Sequence, residues 1–166
     1  MEVFYFDEAG FSLKPVVPYA WQPIGQTVEL PADKRDRINV LGFLSLTNQS
    51  FFHRVEHTVT SQTVIEAFDR FCAHCPETRL RLVFVDNASM HHTPAFIAQQ
   101  PQWLASGVMV GYLPPYCPEL NLIERLWRHI KHLWLPLGAY TSMATLRSAL
   151  NEIFNQVGQK YHINFG

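Results

Sequence analysis

Two aspartates each follow a short run of aromatic and β-branched residues: Val3 to Phe6 before Asp7, and Leu82 to Val85 before Asp86. Such runs read as buried strands. In an open α/β sheet, ligands sit in the crevice beyond the strand ends, where a carboxylate is held by rigid backbone yet faces solvent. The plainer reading of one such aspartate is a turn cap, and finding two at matching positions favours a site. A third acid, Glu124, lies in a helical pattern. At about 100° per residue, Leu120, Ile123, Trp127, Ile130 and Trp134 share one arc. Glu124 falls at the edge of that arc, with Arg128 and Lys131 one and two turns later. A salt-bridged helix face accounts for the charges, but not for an acid set against the apolar seam.

Three converging carboxylates repel and raise one another's pKa values. A hard divalent cation removes the repulsion, and magnesium or manganese accepts an all-oxygen ligand set. Two such ions activate a water or a 3′ hydroxyl and stabilise the leaving oxygen, which is phosphodiester chemistry. His91 and His92 also lie near Asp86 in sequence; the oxygen-rich set makes one a positioning residue and leaves the other exposed. Glu8 adjoins Asp7, but in extended backbone it points to the opposite face and stays outside the site. Glu119 reads as an acid at a helix N-terminus. Trp103, Tyr112 and Tyr116 could stack on bases, though buried aromatics are commoner. Cys72 and Cys75 form a C-x-x-C without the second ligand pair that structural zinc needs.

The elements that must carry these residues follow from periodicity and turn residues. Strands are expected at Val3 to Phe6, Ile38 to Leu46, Phe51 to His57, Leu80 to Val85 and Val108 to Leu113. A short hairpin fits Trp21 to Leu30, and Thr47 to Ser50 reads as a turn. Helices are expected from Thr60 or Ser61 to Cys72, from Pro94 to Gln99, from Glu119 to Trp134 and from Ser142 to Val157. Early strands in succession pair antiparallel, and the later alternation implies parallel crossovers. The sum is a mixed α/β sheet with helices on its faces.

Composition bounds what the chain does. It has 166 residues, 48% hydrophobic and 16% charged, which fits one folded domain and excludes disorder. A net charge of -1 argues against tight, autonomous nucleic-acid binding. Three cysteines do not make a disulfide scaffold. No apolar stretch is long enough for a bilayer, and MEVFYFDEAG is no signal peptide. The expected location is the cytoplasm, at the nucleoid when DNA is bound.

The segments YFDEAGF, VDNASMHHTP and LPPYCPELNLIERLWRHIKHLW resemble transposases of the IS630/Tc1/mariner superfamily. The match is to their DDE catalytic domain and spans essentially residues 1–166. It implies a ribonuclease-H-like fold with a five-stranded mixed sheet. It implies catalytic, metal-holding roles for Asp7, Asp86 and Glu124, with 37 residues between the last two. Asn87 and His91 match the polar motif after the second acid. Glu119, Asn121, Arg125, Trp127 and Lys131 match the helix motif. The implied cofactor is a pair of Mg2+ or Mn2+ ions. The implied partners are transposon ends and target DNA, contacted through Arg125, Arg128 and Lys131, in a homodimer. Leu122 stands where the family usually has proline. The family's helix-turn-helix, which would read the terminal repeat, is expected on a missing segment or a separate chain. Two other readings stay open: another ribonuclease-H-like nuclease, and an inactive or domesticated fragment that binds or self-associates.

Overall fold

A computed structural model describes residues 1–15, 24–25, 36–74, 79–115 and 117–165. Apart from Ile24 and Gly25, the hairpin expected around Trp21 to Leu30 lies outside them, as do Cys75 and Tyr116. The sheet contains β1 (Glu2–Ser12), β2 (Arg37–Ser45), β3 (Ser50–Val55), β4 (Arg81–Val85) and β5 (Val108–Tyr112). Its order is β3-β2-β1-β4-β5. The first three strands pair antiparallel, and β1, β4 and β5 pair in parallel, as the order of elements implied.

Two apolar cores lie on the two faces of the sheet. Strand alternation sends Phe4 and Phe6 of β1, with Leu41 and Phe43 of β2, to one core. There they meet Phe68 and Phe71 of α1 (Ser61–His74) and Phe96 and Trp103 of α2 (Pro94–Ala105). Ala9 and Phe11, with Ile38, Val40 and Leu44, face the other core. It is completed by Ile123 and Leu126 of α3 (Ile123–His129) and Leu146, Leu150 and Ile153 of α4 (Met143–Gln156). The helix starts are capped as their sequences require: Thr93 accepts from Phe96 N ahead of Pro94, and Ser142 and Thr145 form a reciprocal capping pair. Trp103 is core, its indole N–H donating to Asp69 at 2.8 Å.

Three expectations need correction. α2 runs on to Ala105 rather than ending near Gln99. β1 does not end at Asp7 but runs on to Ser12, because β2 pairs with it along that whole length. Only its pairing with β4 stops early, at Tyr5 opposite Phe84. The helix expected from Glu119 to Trp134 is in three pieces: a 3-10 turn at Pro118–Leu120, then α3, then a π turn at Ile130–Trp134. Asn121 breaks the first junction by turning its amide inward to the carbonyl of Phe6, at 3.1 Å. Leu120 is exposed rather than part of the apolar arc, and Leu126 is buried in its place.

Gly42 lies opposite Asp7 in the β1–β2 register. A methyl group there would stand 2.6 Å from the Trp127 ring and 3.0 Å from Ile123. Glycine therefore lets α3 settle directly on the strand that faces Asp7. Gly42→Ala should lower stability by about 1–3 kcal/mol, the usual cost of overpacking. A chemical-denaturation midpoint and the Trp fluorescence of the folded state would report both the loss and the shift of Trp127.

Candidate active site

Asp7 is held in the middle of β1, on the face toward α3. Burial pushes its carboxyl up to about 7, and the neighbouring charges of Glu8, Asp86 and Glu124 add to that rise. These three acids therefore lie within electrostatic reach of Asp7; two of them, Asp86 and Glu124, were singled out from the sequence, and Glu8 was not. Among the described residues, however, no three His, Cys, Asp or Glu side chains are gathered closely enough to hold one ion as they stand. Lys131, on the same face, feels the charge of Asp7. Burial and the repulsion of Arg37 lower its pKa, and Asp7 opposes that change. The Lys131 ammonium lies over the Phe11 ring, 5.3 Å from its centre.

Asp86 follows the last residue of β4 and takes the opposite course from Asp7. Its pKa is lowered, first by the hydrogen bond from His91 and then by the backbone N–H of Ala88, although partial burial works the other way. His91 Nδ1 stands 2.9 Å from Asp86 Oδ1 and 3.1 Å from the Asp86 carbonyl; Ala88 N donates to Oδ1 at 3.0 Å. His91 is 1% exposed and packs on Phe6 and Phe96, with ring centres 5.6 and 5.7 Å away. Burial opposes charge on its ring, but the Asp86 hydrogen bond and the charges of Asp86 and Glu8 outweigh it and raise its pKa. His92 is exposed and stacks on Tyr112, whose hydroxyl donates to the His91 carbonyl at 2.9 Å.

Glu124 sits in the first turn of α3 and is exposed. With Asp86, Asn87, Leu113, Cys117 and Asn121 it lines a cavity of about 220 Å³. Asn87 closes one wall by donating its amide to the Leu113 carbonyl. Asn121 ties the start of α3 to the residue before Asp7. The remaining residues named from sequence are less central. Glu119 is exposed in its 3-10 turn, not in α3. Arg125 turns toward the Asn164 carbonyl, at 3.3 Å, and Arg128 is exposed.

Sequence reasoning set Glu8 aside because it points away from Asp7. It does alternate with Asp7, on the face of Phe6, but His91 and Asp86 are on that side. Burial raises the Glu8 pKa, His91 pulls it down and Asp86 pushes it up. The tertiary path of the loop after β4, rather than any local signal, brings these groups together.

A family model described as DDE superfamily endonuclease matches residues 2–147. The chain belongs to this family. No curated protein sequence matches it. Among solved structures, the DDE endonuclease described here is similar to the Mos1 mariner paired-end complex with manganese, at 16% identity and a TM-score of 0.65. That match covers 92% of this chain and 48% of the other. The catalytic domain of Mos1 mariner transposase matches at 13% identity and a TM-score of 0.63, covering 95% of this chain and 72% of that one. This chain spans about half the length of the Mos1 chains in the transposon-end complexes. The shared architecture is the ribonuclease-H-like mixed sheet with helices on both faces.

A carboxyl whose pKa is raised on folding binds a proton in the native state that the unfolded chain has released. Stability from that group is present below its ordinary 3.8 and falls as pH rises toward about 7. Without divalent ions, the parent should therefore lose roughly 4 kcal/mol more than Asp7→Asn between about pH 4 and pH 7. Urea melts of both proteins across that range check the difference in slope.

Proposed function

We propose that this chain is the catalytic domain of a transposase, cutting DNA at transposon ends and joining the freed ends to target DNA. The observation that carries this reading is the burial of Asp7 within electrostatic reach of Asp86 and Glu124, in a chain of the DDE endonuclease family. The donor set fits a hard divalent cation. All three candidate ligands are carboxylates, and Asp7, whose pKa is raised first by burial and then by neighbouring acids, would regain its charge against a bound cation. Asp7 and Asp86 would hold such ions, with Glu124 completing the set. When bound, Mg2+ or Mn2+ supplies charge compensation and an activated water or 3′ hydroxyl.

The chain's own groups have separable tasks in this reading. His91 and the Ala88 N–H fix one oxygen of Asp86, leaving the other for a ligand. Asn121 sets the distance between the start of α3 and β1, and so the reach of Glu124. Asn87 shapes the cavity wall. Arg125, Arg128 and Lys131 offer positive charge to phosphates. Glu119 has a structural role at the turn before α3.

Residues 1–166 are read as one catalytic domain. The net charge of -1 leaves recognition of the end sequence to a helix-turn-helix segment elsewhere. Mos1 is described in paired-end and strand-transfer complexes, in keeping with a homodimer on DNA here. The setting would be the cytoplasm, at the nucleoid. Among the described residues no helix is long and apolar enough to cross a membrane.

With manganese and a labelled, pre-nicked end duplex, the parent should cleave and Asp86→Asn should not. The loss should exceed the roughly 100-fold that removal of an outer-shell partner gives. His91→Gln should fall within roughly 10–100-fold while keeping its fold. Parent-like cleavage by Asp86→Asn, or cleavage confined to RNA–DNA hybrids, would overturn the reading.

A further inference from the structure

The pairing of β1 with β4 stops at Tyr5, but β1 continues with β2 to Ser12. From Asp7 onward, β1 therefore has no β4 neighbour beside it, and the β1–β2 ribbon projects past the parallel half of the sheet. Two cations lie along this projection. Lys131 covers Phe11, on the face toward α3. Arg37 pairs with Ser12 in the register and lays its guanidinium over Gly10. The fit there is close: a β-carbon at Gly10 would fall 1.7 Å from Arg37 Nε and 2.0 Å from Cζ. Only glycine permits that seat.

Arg37 is exposed, and among the described residues no carboxylate or carbonyl accepts a hydrogen bond from its guanidinium. Arg147, close by, is already taken by Glu56 through Nε at 2.9 Å. The Arg37 side chain also borders a groove of about 500 Å³, shared with Glu8, Asn39, His57, Thr58 and Glu56, the last already engaged by Arg147. The groove reaches Glu8, next to Asp7 in β1 but on the opposite face of the strand. Asn39 steadies its far wall by donating to the His57 carbonyl at 2.8 Å. Gly10 is three residues past Asp7, about 10 Å at roughly 3.3 Å per strand residue. A phosphate held there would lie about that far from the bond held at the acids.

We propose that Arg37, seated on Gly10, is a phosphate-binding residue, and that the groove beside it takes the DNA backbone close to the bond held at the acids. The proposal rests on the transposase reading and adds a contact that the helix motif does not contain. A planar guanidinium suits bidentate binding of a phosphate. Lys131 adds a second positive charge on the other face of the β1–β2 ribbon. The pKa of Lys131, lowered by burial and by Arg37, agrees with two cations held near one another.

The test measures binding of a labelled DNA duplex to the full chain by fluorescence anisotropy across a salt series, with manganese binding followed separately by calorimetry. Arg37→Gln should weaken DNA binding about tenfold, the worth of one charge-assisted contact. It should also reduce the slope of log K against log salt by about one and leave manganese binding unchanged. Arg37→Lys should recover only part of the loss. Gly10→Ala, which keeps the charge but removes the seat, should weaken binding in the same direction. Parent-like affinity and slope in Arg37→Gln, with Lys131→Gln impaired, would overturn this proposal and leave the transposase reading standing. A parent that binds neither DNA nor manganese would overturn both.

Discussion

The absence of a side chain at Gly42 sets how deeply α3 sits on the sheet. Trp127 and Ile123 fill the space that any β-carbon would claim, directly across β2 from Asp7. That contact desolvates Asp7 and brings the first turn of α3, with Glu124, toward it. A carboxylate in such a place is costly to ionise. The helix that buries it also carries a second acid, so local packing gains stability at the expense of electrostatics. This is the pattern of a site kept for chemistry rather than for folding.

The two aspartates resolve the same problem differently. Asp86 has an internal partner: His91 is sealed under Phe6 and Phe96 and offers its Nδ1 proton to the carboxylate. Asp7 has none of that kind and responds by holding its proton to about 7. Relief of repulsion would be expected at any of three clustered acids. In this protein the rise falls on Asp7, chiefly through its burial, while the His91 hydrogen bond holds Asp86 down. The asymmetry also marks their tasks, since a carboxylate with one oxygen fixed presents the other in a defined direction, while an unpaired buried one depends on its ligand for charge balance.

Much of the frame was legible in the residues. Apolar runs located β2 to β5 to within a few residues. Thr60, Thr93-Pro94 and Ser142 marked helix starts, since capping chemistry is local. The two strand-associated aspartates and the acid in the helix could be found because their spacing is one-dimensional information. The overrun of β1 to Ser12 was missed, since Glu8, Ala9 and Gly10 lack a strand signature and owe their conformation to β2. The broken helix before Trp134 was missed because helical periodicity cannot show an Asn amide turning to a distant carbonyl. His91 was legible as a polar residue near Asp86, but its hydrogen bond was not. The position of Glu8 beside it depends on how a loop crosses the sheet, and Arg37 acquires meaning only from the Ser12 register and from Gly10.

The sheet separates two apolar cores, and the acids are divided between them. Asp86 is fastened through His91 to the layer of Phe6 and Phe96; Glu124 rides on the layer of Leu126, Leu146 and Leu150. Their separation is thus a caliper reading of the sandwich's thickness and twist. A change of volume deep in either layer, at Leu150 for instance, moves one jaw and not the other. Apolar residues deep in either layer thus help set a distance between two acids that they never touch.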